Sequence, residues 1–272
     1  MDARLQRRVQ RYGWDRAADT YDRAWSRQLE PAQDLLLELA ALQEGEEVLE
    51  VACGSGLVTL RIAEAVGPGG RIAATDLSTG MLDLARAGAE REGHAHIAFL
   101  RNDAESLEVP EASFDAALCA LGLMYVPDPV AALREMGRVL RPGGRAVAAV
   151  WGERSRCGWA DVFPIVDARV ESEVCPLFFQ LGTGDTLAHQ MEEAGLGEVE
   201  LRRISTTLRY ASPEEALEAI FEGGPVAMAY SRFDGATREA VHREYLDSIA
   251  PWSTGEGYAL PGEFVVARAT RG

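Results

Sequence analysis

Residues 46–59 read Glu46-Glu47-Val48-Leu49-Glu50-Val51-Ala52-Cys53-Gly54-Ser55-Gly56-Leu57-Val58-Thr59. Glu46 to Ala52 has the length and apolar content of a buried strand, and Leu57 to Val66 has helical spacing. The glycines fall in the turn between them, where a ligand can approach bare backbone at a helix N-terminus. The alternation continues downstream. Gly67-Pro68-Gly69-Gly70 stops the first helix, and Arg71 to Thr75 forms a second strand. Ser78 is placed to cap a helix that runs through Glu92. His96–Leu100 and Phe114–Ala120 read as strands, Asp128–Leu140 as a helix, Pro142-Gly143-Gly144 as a turn and Arg145–Trp151 as a fifth strand. Apolar strands alternating with helices predict a parallel sheet covered on both faces, an α/β fold.

Outside this stretch the pattern changes. Residues 1–30 are polar yet carry Tyr12, Trp14, Tyr21 and Trp25, so they are expected to pack on the domain as a cap. Pro31 is placed where a helix can start; Leu35, Leu36, Leu39 and Leu42 continue it and Gly45 ends it. After Trp151, residues 152–183 read as irregular with one helix near 159–170. A helix at Gly184–Ala194, a strand at Val199–Leu208, a helical stretch over 213–250 and a last strand at Phe264–Ala267 follow. The expected organisation is a cap (1–30), a ligand-binding core (31–151), and a remainder (152–272) with covering insertions at 152–183 and 209–258. A connection of more than fifty residues between the last two strands is the length of a lid.

The chain has 272 residues and a net charge of −16. Phosphate backbones repel such a surface, so nucleic acid is not an expected partner. All 27 basic residues are arginine, which points to a GC-rich bacterial genome and excludes lysine chemistry such as a Schiff base or a P-loop. Cys53, Cys119, Cys157 and Cys175 have no metal-ligand spacing, and no signal peptide or apolar span is evident. Reduced thiols, a cytoplasmic location, no metal and no membrane span are the expectations.

The charge of the glycine loop selects its ligand. A dinucleotide fingerprint has Gly or Ala where this chain has Thr59. Glu50, at the carboxyl end of the strand beside the loop, would repel a pyrophosphate and attract a cation. S-adenosylmethionine carries an ammonium and a sulfonium and no phosphate, so Glu50 favours it over a nicotinamide or flavin. Asp76 ends the second strand, where a carboxylate accepts from both ribose hydroxyls. Asp103, beside Ala104 after the third strand, is placed to accept from the adenine amino group. The three carboxylates together mark the carboxyl edge of the sheet.

The segments VLEVACGSG (48–56), ATDLSTGML (74–82), NDAESL (102–107), SFDAALCALGLMYVPDP (113–129) and LREMGRVLRPGG (133–144) resemble the class I S-adenosylmethionine-dependent methyltransferases. They are especially similar to the branch that contains the ubiquinone/menaquinone C-methyltransferases (methyltransferase type 11). The resemblance covers roughly residues 45–151. It implies a Rossmann-like, seven-stranded, mostly parallel sheet of order 3-2-1-4-5-7-6 with a helical lid. It also implies roles: Glu50 at the methionine ammonium; Gly54 and Gly56 against the methionine moiety, with Ala52, Cys53 and Ser55 of the loop also cofactor-binding; Asp76 on the ribose. Leu77 and Met81 would line the adenine, Asp103 and Ala104 its edge, and Cys119 the floor. Tyr21, in AADTYDR, resembles a tyrosine that closes over the donor. Met124-Tyr125 departs from the quinone-type pattern.

Methyl transfer needs positioning of the acceptor more than a nucleophilic residue. A general base is needed only if the acceptor must first lose a proton, and His189, in the variable half, is one candidate. His94 and His96 are expected to flank a strand away from the site, and His242 to be solvated. Trp25, Tyr125, Trp151, Trp159, Phe163, Phe178 and Phe179 would line an acceptor pocket. They favour C- or O-methylation of a small apolar or aromatic metabolite by a monomer or homodimer. Three readings stay open: N- or S-methylation of a polar metabolite, a non-catalytic binder of adenosylmethionine or adenosylhomocysteine, and a nicotinamide oxidoreductase.

Overall fold

The computed structural model describes residues 3–170 and 177–272. Among them one sheet contains β1 (Glu47–Val51), β2 (Arg71–Asp76), β3 (Ile97–Arg101), β4 (Phe114–Ala120), β5 (Leu140–Trp151), β6 (Gly197–Tyr210) and β7 (Tyr258–Thr270). The strand order is 3-2-1-4-5-7-6, as the resemblance implies. β1 to β5 are parallel, and β7 runs antiparallel to both β5 and β6. The helices are α1 (Ala3–Ala40), α2 (Leu57–Val66), α3 (Thr79–Glu92), α4 (Pro129–Val139), α5 (Val162–Asp167), α6 (Thr186–Glu193), α7 (Pro213–Phe221), α8 (Ala227–Tyr230) and α9 (Gly235–Ile249). No described helix is long and apolar enough to cross a membrane.

Local chemistry sets these boundaries. The Ser78 hydroxyl accepts from the Met81 N–H at 3.1 Å and starts α3; the Asp128 carboxylate accepts from Ala131 N–H at 2.9 Å and starts α4. Pro129 and Pro213 stand at the first positions of α4 and α7, where a missing N–H costs nothing. Apolar residues fill both faces of the sheet. Val48, Ile72, Ala116, Leu118 and Val147 pack with Val58 and Ile62 of α2 and with Leu36 and Leu39 of α1. Leu49, Val51, Ala117, Ala146 and Val150 face the other way, toward Leu133 and Met136 of α4 and the aromatic residues of the cap and lid. Cys53, Cys119 and Cys157 are free and buried; Cys175 lies outside the described residues.

Three elements differ from the sequence expectations. Pro31 does not start a helix: it lies inside α1, which runs from Ala3 to Ala40. The lost hydrogen bond costs about 3 kcal/mol. Burial on both sides of the proline offsets it, with Trp25, Leu29, Ala32, Leu35 and Leu36 all under 8% exposed. The cap and the core therefore share one continuous helix. β5 begins at Leu140 rather than Arg145, with Gly143 at φ 77° and a register irregularity between Phe114 and Ala116 of β4. β7 spans thirteen residues rather than four. The added residues include Pro261 and Gly262, and β5 pairs with β7 only as far as Phe264. Beyond that point β7 has β6 alone as its partner, and a proline is tolerated on such an open side.

Candidate active site

A cavity opens at the carboxyl ends of β1, β2 and β4, where open α/β sheets bind ligands. Its empty volume, about 1050 Å³ including the mouth, stands at the upper end of small-molecule sites. One end is polar, lined by Ala52, Gly54, Asp76, Leu77, Met81, Asp103, Ala104 and Glu105. The other is aromatic, lined by Trp25, Tyr125, Trp151, Trp159 and Phe178. Tyr21 of α1 also lines the cavity.

The glycine loop is tied to β2. The Asp76 carboxylate accepts from Gly54 N–H at 2.9 Å and from Ser78 N–H at 2.8 Å. Burial nonetheless raises its pKa. Gly54 has a left-handed φ of 56°, and a Cβ there would meet nothing within 4 Å, so the cavity reaches bare backbone. Gly56 (φ 92°) does a different job. A Cβ there would come 3.0 Å from that of Ala85, so its bareness lets α2 pack on α3. Ala52 and Leu121, both in the cavity wall, hold left-handed backbones of φ 55° and 62°. Such strain, about 1–2 kcal/mol per residue, tends to cluster at functional sites.

Glu50 is not in the wall. It is 1% exposed and its carboxylate accepts from the Thr59 hydroxyl of α2. Burial, with the nearby Asp76 charge, pushes its pKa up to about 8. Cys53, Ser55, Gly56 and Cys119 also lie outside the lining. Burial pushes the Cys119 thiol up to about 12, so it is an uncharged apolar neighbour of Gly122. Asp103 is engaged twice: Oδ1 accepts from Glu105 N–H at 3.0 Å and Oδ2 pairs with Arg7 at 2.8 Å. Phe179 and Phe163 stand behind the aromatic end, with ring centroids 4.8 Å from Phe178 in each case. His189 is exposed on α6, outside the cavity wall, so the structure does not bring it to the site. His242 departs from the solvated expectation: its Nε2 is 2.8 Å from the Tyr230 hydroxyl, and the two rings stack.

α1 as far as Leu29 forms the roof, and most of its role escaped the sequence reading. Arg7, Gln10, Arg11, Trp14, Tyr21, Trp25 and Leu29 line the cavity at helical spacing. Arg7 pairs with Glu105 at 2.6 Å as well as with Asp103. Asp15 accepts from the Ser78 hydroxyl at 2.6 Å and from Gly80 N–H at 3.1 Å, and Asp22 accepts from the Ser55 hydroxyl. The aromatic positions were legible; the polar latches were not, because their partners lie some 30 to 100 residues away.

Gly122, after β4, is a third position where bareness matters. A Cβ there would sit 2.4 Å from that of Ala52 and 2.9 Å from Cys119 Sγ. Gly122→Ala is expected to push Ala52 toward the cavity, costing about 1–3 kcal/mol as overpacking does. Thermal unfolding and adenosylhomocysteine titration check this. Unchanged stability and affinity would show that the wall gives way freely.

Comparisons with known proteins agree with this fold. Residues 48–144 match the family model described as a methyltransferase domain. A demethylmenaquinone methyltransferase of Anoxybacillus flavithermus is 30% identical over 155 residues, covering 55% of this chain and 65% of that protein. The enzyme of that name from Lactococcus lactis is 39% identical over 103 residues, covering 38% and 41%. The chain thus spans less than two thirds of the curated relatives it matches. Among solved structures, the YcgJ protein of Bacillus subtilis superposes with a TM-score of 0.62 at 17% identity, covering 89% of this chain and 98% of that one. Phosphoethanolamine N-methyltransferase 2 of Haemonchus contortus, solved with adenosylhomocysteine, gives 0.59 at 16%, covering 89% and 52%. Residues 48–144 are thus similar to a methyltransferase domain, and the whole sheet has the order that the class I, Rossmann-like resemblance implies.

Proposed function

We propose that the protein is an S-adenosylmethionine-dependent methyltransferase acting on carbon or oxygen of a small apolar or aromatic acceptor. One observation carries the reading: a carboxylate-flanked glycine loop and a Trp-rich pocket are two ends of the same cavity. The relatives named demethylmenaquinone methyltransferases support the acceptor class. A net charge of −16 fits a small molecule better than a nucleic acid.

The chain's residues fit the donor. Gly54 offers bare backbone, Asp76 a carboxylate for ribose hydroxyls, and Leu77 and Met81 apolar walls for adenine. Asp103 and Ala104 would border the adenine edge, and Glu50, buried behind the wall, would ionise in response to the ammonium without lining the cavity. Bound adenosylmethionine supplies an electrophilic methyl on a sulfonium, whose transfer leaves a neutral thioether. Trp25, Tyr125, Trp151, Trp159 and Phe178 would hold the acceptor and exclude water. Tyr21 would close over the donor as a neutral phenol: burial and the Asp22 and Asp76 charges raise its pKa far above the usual range. Among the described residues no histidine lines the cavity. An acceptor that brings its own nucleophilicity, as a phenolate or enolate does, fits such a wall.

Ligand-induced stabilisation tests the donor site. Adenosylhomocysteine at a hundred times its Kd is expected to stabilise the fold by about 2.7 kcal/mol, with no shift from NADH. A shift with NADH alone would overturn the reading.

A further inference from the structure

At one edge of the sheet stands its longest strand, the fourteen-residue β6, paired on one side with β7. β3, at the opposite edge, has five residues. A long open edge strand is a template for another chain, and proteins shorten, charge or cover such edges. The ladder shows which groups of β6 are open. The Glu263 carbonyl accepts from Gly152 N–H at 2.7 Å, so odd-numbered residues of β7 turn their main-chain groups toward β5 and even-numbered ones toward β6. From Glu200 against Arg268 to Tyr210 against Tyr258, the register sets even residues of β6 against even residues of β7. Leu201, Arg203, Ser205, Thr207 and Arg209 therefore face outward. Arg209 is closed off: Gln28 of α1 accepts from its N–H at 3.1 Å and donates to its carbonyl at 2.6 Å. At the other end Glu198 holds a left-handed φ of 52°, and the register breaks between Gly197 and Glu200. Between these two stops, among the described residues, no hydrogen bond reaches the outward main chain of Leu201, Arg203, Ser205 or Thr207. Ser205 and Thr207 are exposed.

We propose that this stretch of β6 pairs antiparallel with the same stretch of a second copy, about a twofold axis at Ile204, joining two sheets into one. The open stretch is complementary to itself. In an antiparallel seam outward residues oppose outward residues. Ile204 lies midway between Leu201 and Thr207, so an axis there sets Leu201 against Thr207 and Arg203 against Ser205, and it uses every open group. A twofold contact requires such self-matching. On the alternate face Arg202 meets Thr206, so each arginine of the stretch faces a hydroxyl. Moving the axis to Arg203 sets that residue against itself, a destabilising like-charge pair. Moving it to Ser205 calls on the main chain of Arg209, which Gln28 already holds. Charge favours the same place. Two copies of net charge −16 repel, yet from Glu200 to Arg209 one glutamate stands beside Arg202, Arg203 and Arg209, so negative charge is not in excess at the seam.

Sedimentation equilibrium of the full chain over a concentration series is expected to show a dimer. Ser205→Pro removes one outward N–H that takes no part in the β6–β7 ladder, a position where an edge strand tolerates proline. That variant is expected to keep the wild-type circular dichroism and to dimerise at least about tenfold more weakly. Cysteine pairs give a second readout should the proline hinder folding. Opposed residues of a non-hydrogen-bonded antiparallel pair have Cα atoms about 4.5 Å apart, within disulfide reach. In a Cys175→Ser background, Ile204→Cys is expected to give a disulfide-linked dimer on mild oxidation. Thr206→Cys, which faces Arg202 across the seam, is expected to stay unlinked. A wild-type monomer across the series, a dimer that survives Ser205→Pro, or linkage of Thr206→Cys as readily as Ile204→Cys overturns the proposal.

Discussion

Glu50→Gln is expected to make the protein more stable at neutral pH and worse at binding its donor. In the unfolded chain this carboxyl titrates near 4.5, whereas burial in the fold pushes it up to about 8. Between these values the folded state binds more protons than the unfolded one, so Glu50 lowers stability progressively as pH rises through that window. At roughly 1.4 kcal/mol per pH unit, the burden at pH 7 is about 3 kcal/mol. Glutamine carries no such burden and keeps an acceptor for the Thr59 hydroxyl. The variant's advantage, several degrees in Tm at pH 7, should vanish near pH 4.5. The same raised pKa makes donor binding release a proton. Calorimetry at pH 6.5 in buffers of different ionisation enthalpy is expected to show about one proton released in wild type and none in Glu50→Gln. Affinity should fall roughly 10- to 150-fold. Unchanged affinity and proton count would reduce Glu50 to a structural partner of Thr59.

Asp76→Ala should damage the donor site in another way. It removes the acceptor of Gly54 N–H and Ser78 N–H together with the carboxylate offered to the ribose. Two backbone donors lose their partner, at about 1–3 kcal/mol for each that stays buried. Donor affinity should again fall roughly 10- to 150-fold, as expected for a lost charge-assisted hydrogen bond. Asp76→Asn keeps one oxygen acceptor and should recover part of the stability but less of the affinity. Direct titration of adenosylhomocysteine into each variant checks this. Wild-type affinity in Asp76→Ala would remove Asp76 from the site.

The parts that were legible in the sequence are those governed by local rules. Leu57–Val66 and Phe114–Ala120 have the predicted bounds because each is flanked by strong breakers or caps. Ser78 and Asp128 cap the helices they were expected to cap or begin. Tertiary burial overrode local rules elsewhere: Pro31 is carried inside α1, and Pro261 inside β7, by neighbours that no short window includes. The same division holds at the site. Asp76, Asp103, Gly54 and the indoles of Trp25, Trp151 and Trp159 announce themselves by type and position. Arg7, Asp15 and Asp22 are ordinary helix-surface residues until folding brings Glu105, Ser78 and Ser55 beneath them.

The most direct test of the central claim is transfer of label from methyl-labelled adenosylmethionine into small-molecule extracts of the source organism, read by solvent partition and mass spectrometry. The account predicts label in the organic phase, on an aromatic or enolic metabolite one methyl heavier than its precursor. Label confined to the aqueous phase, or no transfer by protein that binds adenosylhomocysteine, would contradict it.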